Sequence, residues 1–496
     1  MTILSKKISD SPLARRDFIK HSLLAAGSLA IPPALLSACG NVADPVGEPF
    51  VVDPSRPWWL QGNFVGVHDE LDAYDLPVRG RIPTELAGLY VRNGSNPKND
   101  LSPHWFLGDG MVHGIRLGGG KALAYHNRFV RTPYYEKGVT FDQAISAGLP
   151  PSKFNTTSNV SVIYQGGRIY SSGEVGGAYV IGANDCSTVG TWDFGGQVDN
   201  SFTAHAKVDP ETGYLHFFGY WFVPPYVTYY VADRNGRVIQ KEYIATERAT
   251  MMHSFAITDR EAVFWEGPIV FDLTSAITNP VDAFKWTPEY GARIGILPFG
   301  EPGSAIRWVE IDPCFVFHDT NAFRDGDDVV IDVGRLPSAF DGSDTVSDGL
   351  ERLTRWRVNT AGEELRFSEE IVSWNQWDLP THDRRFTGRP YRYGWFAEFR
   401  DHPDSVDVGG IGMMDYRTGK TRFWEPGLAR HGGEPFFVPG GNGEGEGWLL
   451  VFVHDHTKDQ SVLAILDAMR PDRGPIAEID MPRRVPFGFH GCWVPS

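Results

Sequence analysis

Val485-Pro-Phe-Gly-Phe-His-Gly-Cys-Trp-Val-Pro-Ser496 closes the chain, and its reading decides the fold. Chain ends are ordinarily polar and frayed. Here no charged side chain follows Arg484, while Phe487, Phe489, Trp493 and Val494 are apolar. Such a tail lowers its free energy only by packing inside the fold. His490 sits at its centre, and Gly488 and Gly491 beside it let the backbone approach a neighbour closely. A histidine carried into a core by a terminal strand is either a satisfied core histidine or a metal ligand.

Outward from this tail, helical periodicity is almost absent. Short alternating runs recur instead, among them Gly88-Leu-Tyr-Val-Arg92, Leu215-His-Phe-Phe-Gly219, Asp328-Val-Val-Ile-Asp332 and Trp448-Leu-Leu-Val-Phe-Val453. Turn signals separate them, such as Asp209-Pro-Glu-Thr-Gly213 and Asp233-Arg-Asn-Gly236. The chain therefore reads as all-β. Its length favours one closed, repetitive sheet system over a sandwich, and a propeller of about seven four-stranded blades fits. No clean repeat sets the blade count. Residues Phe141–Lys153 break the pattern with Ala, Gly and paired Pro. They read as an irregular excursion, either a plain surface loop or one that touches a membrane surface.

Composition narrows the classes. Fifteen Trp and 31 Phe among 496 residues demand a large apolar core, and 55 Gly with 35 Pro supply many turns. A formal charge of −16 excludes a nucleic-acid partner, whose phosphates need a basic face. Four Cys without a CxxC spacing make no disulfide framework, so Cys186, Cys314 and Cys492 read as small buried residues.

The N-terminus carries a targeting pattern. Ala14-Arg-Arg-Asp-Phe-Ile-Lys20 precedes an apolar run from Ser22 to Leu36, too short to span a bilayer, where about 20 residues are needed. Paired arginines before such a run resemble a twin-arginine export signal. Leu36-Ser-Ala-Cys39 looks like a lipoprotein cleavage box, with Cys39 lipidated, and an Ala-x-Ala-like cut nearby is the alternative. The expected layout is a signal over residues 1–38, a linker over 39–60 and the propeller over 61–496. The expected destination is the periplasm, free or as a membrane-anchored lipoprotein.

Three further histidines share the setting of His490, each at the edge of an apolar strand beside small or polar residues: His205, His253 and His318. They lie too far apart for a local metal loop. They converge only where several blades point their inner strands at one axis. Imidazoles suit iron, copper, nickel or zinc. Four neutral ligands leave a divalent ion its full charge, so carboxylates gripping the outer ring N–H groups are expected. His454-Asp-His456 puts two rings on one strand face, either a solvated strand end or a surface metal site.

Six motifs, in order, resemble the carotenoid cleavage oxygenase family: Gly88-Leu-Tyr-Val-Arg-Asn-Gly-Ser-Asn-Pro97, His104-Trp-Phe-Leu-Gly-Asp-Gly-Met-Val-His-Gly114, Thr203-Ala-His-Ala-Lys-Val-Asp-Pro-Glu-Thr-Gly213, Gly388-Arg-Pro-Tyr-Arg-Tyr-Gly394, Gly433-Glu-Pro-Phe-Phe-Val-Pro439 and Gly488-Phe-His-Gly491. The resemblance runs from about Gly62 to the end. It implies a seven-bladed propeller with irregular loops over one face and one Fe(II) per chain on the axis, held by His205, His253, His318 and His490. It places outer carboxylates at Glu174, Asp378 and Glu434. Two positions depart from the family pattern. Asp378 stands where a glutamate is usual, shortening the reach by about 1.5 Å, so a water or a backbone shift is expected to close the gap. Val160 stands where a threonine is common near the open metal position, a change expected to tune access of oxygen or water.

The activity implied is oxidative cleavage of one double bond of a carotenoid or apocarotenoid by O2, giving two carbonyl products. No protein nucleophile or proton-shuttling base is required beyond the metal centre. A dry apolar cavity is required, to which Trp105, Phe106, Trp221, Phe222, Trp395 and Phe396 are candidates alongside ordinary core packing. Two other readings stand beside this one. A related branch cleaves phenolic stilbenes with a Tyr and a Lys that grip the phenol, for which Arg131-Thr-Pro-Tyr-Tyr-Glu-Lys137 is the candidate segment. A non-catalytic periplasmic binder of carotenoid or metal is the third.

Overall fold

Period-two patterning puts alternate side chains on opposite faces of a strand, so each alternating run can pack against a sheet on either side. The computed structural model describes residues 47–340, 351–400 and 406–496. The expected signal over 1–38 and Cys39 lie outside them. The described residues form a seven-bladed propeller of antiparallel sheets.

Blades II, III, V and VI each use four consecutive strands, starting at Ser161–Gln165, Lys207–Val208, Phe315–Asp325 and Trp377–His382 respectively. Blade IV starts at Ala256–Ile257 and carries an inserted hairpin, Ile269–Phe271 with Phe284–Trp286. Blades I and VII are completed from distant parts of the chain. Gly491–Pro495 pairs with Gly88–Ser95 in blade I, setting Val91 opposite Cys492. Val78–Gly80 pairs with Pro475–Asp480 in blade VII, setting Arg79 opposite Glu478. The ring is thus locked twice.

Apolar layers fill the spaces between blades. Tyr90, Leu450, Phe452 and Ile465 pack blade I on VII, and Val263, Ile294, Ile331 and Trp356 pack blade IV on V. Each such buried side chain contributes about 1.5–3 kcal/mol. The closing segment fits because two glycines meet: a Cβ on Gly94 would lie 2.6 Å from Gly488 Cα. The Pro- and Gly-rich stretch expected as a linker up to residue 60 is, from Gly47 on, partly seated on the propeller. Trp58 is buried, with its ring 5.0 Å from Phe64 and 5.6 Å from Trp105. Its aromatic area outweighs the turn-forming composition around it. Residues 141–148 form turns after a short helix, Pro133–Lys137, with Ala144 buried and Ile145 exposed.

Candidate metal centre

The inner strands position the predicted residues. His318 lies within Phe315–Asp325 of blade V, and His490 immediately precedes Gly491–Pro495 of blade I. His205 and His253 stand just before the inner strands of blades III and IV. Asp378 lies in the inner strand of blade VI, Glu434 just before Phe436–Pro439 of blade VII, and Val160 just before Ser161–Gln165 of blade II. Every blade therefore sends a side chain or a backbone carbonyl to one place.

There the four rings meet. One ring nitrogen from each of His205, His253, His318 and His490 falls within 4.8 Å of the others. His205 Nε2 and His253 Nε2 face each other at 2.8 Å. The outer nitrogens of three rings hold carboxylates: His253 Nδ1 lies 2.5 Å from Glu174 Oε2, His318 Nδ1 2.6 Å from Asp378 Oδ1 and His490 Nδ1 2.8 Å from Glu434 Oε1. A carboxylate only accepts, so each Nδ1 carries the proton and each Nε2 keeps its lone pair turned inward. His318 Nε2 is buried with no hydrogen-bond partner among the described residues. Burial holds His205 well below the ordinary histidine value, and the neighbouring rings add to that. Burial also lowers His490, opposed by Glu434. Four neutral imidazoles with inward lone pairs fit a late first-row divalent ion.

The carboxylates are themselves anchored. Tyr220 donates to Glu174 Oε1 at 2.8 Å, and Gly491 N–H donates to Glu434 Oε2 at 2.9 Å. Asp378 reaches His318 directly despite its missing methylene. The strand bulges between Asp378 and Thr381, and Leu379 takes a φ of 50°, so the backbone carries the shorter carboxylate to the ring. Burial raises Asp378, but His318 outweighs it and the carboxyl sits below its ordinary value. Glu351, which hydrogen-bonds Asp378, is pushed well above the ordinary range by burial and by that neighbour. Glu351 thus sits against the carboxylate that holds His318. Nothing in its polar sequence context, Ser347-Asp-Gly-Leu-Glu351, signals this role.

The surroundings are apolar. Val160 is buried beside Trp105, Ala204, Leu379 and Phe489, and its carbonyl accepts from His490 N–H at 3.0 Å. Phe317 lies 5.3 Å from His253. Of the aromatics proposed for the cavity, Trp105 and Phe106 join this cluster. Trp395 and Phe396 pack between sheets, and Phe222 packs on Phe271. The Arg131–Lys137 segment forms a capped helical turn in which Tyr134 is buried and Tyr135 stacks on Phe129. Among the described residues, its aromatic and polar contacts run to Phe129, Phe141, Glu70 and Lys98 and not to the four histidines.

A seven-bladed propeller whose axis gathers four imidazoles able to hold a metal ion is the class that this fold and site define. Residues 64–495 match the family model described as retinal pigment epithelial membrane protein. The chain belongs to this family, the carotenoid cleavage oxygenases. It is 32% identical over 502 residues to the carotenoid 9,10(9',10')-cleavage dioxygenase 1 of Phaseolus vulgaris, covering 90% of this chain and 91% of that one. It is 32% identical over 497 residues to a carotenoid cleavage oxygenase of Mycobacterium tuberculosis, covering 88% and 97%. The fold is shared with a crystal structure of lignostilbene dioxygenase from Pseudomonas brassicacearum, with a TM-score of 0.81 at 24% identity over 90% of this chain and all of that one.

Proposed function

We propose that this protein is an Fe(II)-dependent dioxygenase that cleaves one C=C bond of a carotenoid or apocarotenoid with O2, giving two carbonyl products. The observation that carries the reading is the axial set: four inward imidazole lone pairs, three of them fixed by carboxylates, inside an apolar shell. The names of the curated relatives support the substrate class.

His205, His253, His318 and His490 would hold one iron per chain, which when bound supplies the open position for oxygen activation. Glu174, Asp378 and Glu434 keep the Nδ1 protons in place, so no ligand turns away from the axis. Val160, Phe317 and Phe489 exclude water and seat a hydrocarbon. The stoichiometry closes without help: the alkene gives up four electrons, O2 takes them, and each oxygen atom ends in one carbonyl. No external reductant and no side-chain proton are consumed. A polyene of this kind and O2 are the partners.

The test uses protein starting at Gly47, loaded with Fe(II) anaerobically and then exposed to air with an apocarotenal or a hydroxystilbene. Aldehydes are read by mass spectrometry beside a His253→Ala control. Polyene aldehydes that disappear in the control are expected. Aldehydes from the stilbene alone would overturn the substrate class, and bound iron without cleavage of either would leave a binder. Export through the twin-arginine route, with Cys39 lipidated, is part of the same reading and rests on Arg15-Arg16 and Leu36-Ser-Ala-Cys39. Among the described residues no helix is long and apolar enough to cross a membrane. Association with a membrane surface would then come through the lipid, and fractionation of a Cys39→Ala variant tests it.

A further inference from the structure

His205 has the weakest visible support of the four axial histidines. Its outer nitrogen, Nδ1, meets no carboxylate among the described residues, whereas each of the other three rings holds one. It stands on a turn ahead of Lys207–Val208, an inner strand of two residues whose ladder is only Lys207 opposite His216 and Val208 opposite Leu215. His253 also lies outside any strand, ahead of the two-residue strand Ala256–Ile257. His318, by contrast, is carried within the eleven residues of Phe315–Asp325. A ring on a turn with so short a ladder behind it swings unless something else ties its backbone.

The tie lies one or two residues along the chain from each ring. Lys207 Nζ donates to Asp319 Oδ1 at 2.8 Å and to Oδ2 at 3.0 Å. Ser254 Oγ donates to the same Oδ1 at 2.8 Å. Lys207 follows His205 by two positions, Ser254 follows His253 by one, and Asp319 follows His318 by one. One carboxylate on the long strand of blade V therefore joins the histidine-bearing segments that lead into blades III and IV. The Asp319 side chain is 3% exposed, and Ser254 is fully buried. A buried ion pair adds little net stability, because desolvation offsets the attraction. What its directed, charge-assisted bonds do fix is relative position.

We propose that Asp319 is a positioning residue of the metal centre: through Lys207 and Ser254 it sets His205 and His253, the two ligands that no strand holds, against His318. The proposal rests on the metal-centre reading above and deepens it. It gives His205 an indirect substitute for the outer carboxylate that the other rings have.

The test measures Co(II) affinity by chelator competition, and the visible spectrum of bound Co(II), in the full chain. Lys207→Met combined with Asp319→Leu cuts both ties and leaves no lone buried charge. Its Co(II) affinity is expected to fall about 10- to 100-fold, as on loss of an outer partner, with shifted Co(II) bands. Asp319→Asn, whose carbonyl still accepts from both donors, should recover part of the affinity. Arg355→Met with Asp332→Leu is the control. It removes an equally buried pair of blade V, bonded twice at 2.8 Å, that adjoins no axial histidine in the chain. It should lower the Tm while leaving Co(II) affinity and bands as in the wild type. Wild-type affinity and bands in the Lys207 and Asp319 pair variant would overturn the proposal, and so would an equal loss in the control. Should a pair variant fail to fold, Ser254→Ala removes a single hydroxyl and still decides. An affinity about two- to tenfold weaker is expected there, and an unchanged one would overturn the role of Asp319. None of these readings needs a substrate, so a wild type that binds Co(II) but cleaves nothing would fail the dioxygenase reading alone. A wild type that binds neither Co(II) nor Fe(II) would overturn both.

Discussion

Replacing Glu434 by alanine leaves two donors without their acceptor at once. Its carboxylate accepts His490 Nδ1–H at 2.8 Å and Gly491 N–H at 2.9 Å, all of it buried. Hydrogen bonds to a charged acceptor contribute about 1.5–3 kcal/mol each. Loss of the outer partner of a metal-binding histidine ordinarily weakens affinity about 10- to 100-fold. Because every factor of ten is about 1.4 kcal/mol, the metal should lose about 1.4–2.8 kcal/mol in Glu434→Ala. The Gly491 bond is a separate loss. Gly491 begins the strand that completes blade I, so the metal-free protein should also unfold more readily. Glu434→Gln retains one acceptor and should fall between. Competition for Fe(II) or Co(II) against a chelator reads the first effect, and thermal unfolding of the metal-free protein reads the second. Unchanged metal affinity in Glu434→Ala, with or without a fall in Tm, would refute the idea that the carboxylates hold the rings.

Gly94→Ala pushes a Cβ against Gly488 Cα, backbone against backbone. It should cost about 1–3 kcal/mol in unfolding free energy and weaken metal binding through His490; a Tm equal to wild type would contradict the close approach. Burial raises the Cys186 and Cys492 thiols to about 12 and Cys314 to about 11. Protein starting at Gly47 should therefore resist alkylation at pH 8 when native and yield all three thiols in denaturant; rapid native labelling would show these strands open. Asp415 is held far below its ordinary value of 3.8, first by the Arg392 hydrogen bonds at 2.7 and 2.9 Å. A depressed carboxylate stabilises the fold above its unfolded value and loses that stabilisation as pH falls through the folded one. The Tm gap between wild type and Asp415→Asn should accordingly be widest at pH 7 and shrink toward pH 2; a gap that grows on acidification would reverse the sign.

Much of the fold was legible because strands announce themselves locally. Runs such as Asp328–Asp332 and Trp448–Val453 carry their period in adjacent residues. The blade count was harder, since inner strands shrink to two residues at Lys207–Val208 and Ala256–Ile257, and blade IV swallows an extra hairpin. The axial histidines stood out by a shared setting, small residues at the edge of an apolar strand. Their carboxylates came from motif resemblance, because Glu174, Asp378 and Glu434 are ordinary acidic residues until the blades bring them to the rings. Glu351 beside Asp378 and His431 bonded to Asp407 left no local trace at all. They are made by contacts between strands and blades, and neither composition nor spacing encodes which outer loops meet. Trp58 erred the other way: Pro and Gly around it read as a linker, but one large ring decided where the segment lies.

Synthesis delivers the axial centre late. As the chain emerges from its N-terminal end, His205, His253 and His318 appear with blades III, IV and V, on a stack that is still open. The fourth ring arrives only with the segment that shuts the circle, downstream of the Pro475–Asp480 strand that pairs with Val78–Gly80. A chain halted by a premature stop before His490 would carry three rings and no closing strand, and so neither a finished ring of blades nor a finished nitrogen set. A metal held by all four rings could therefore bind in full only to molecules translated past both locks.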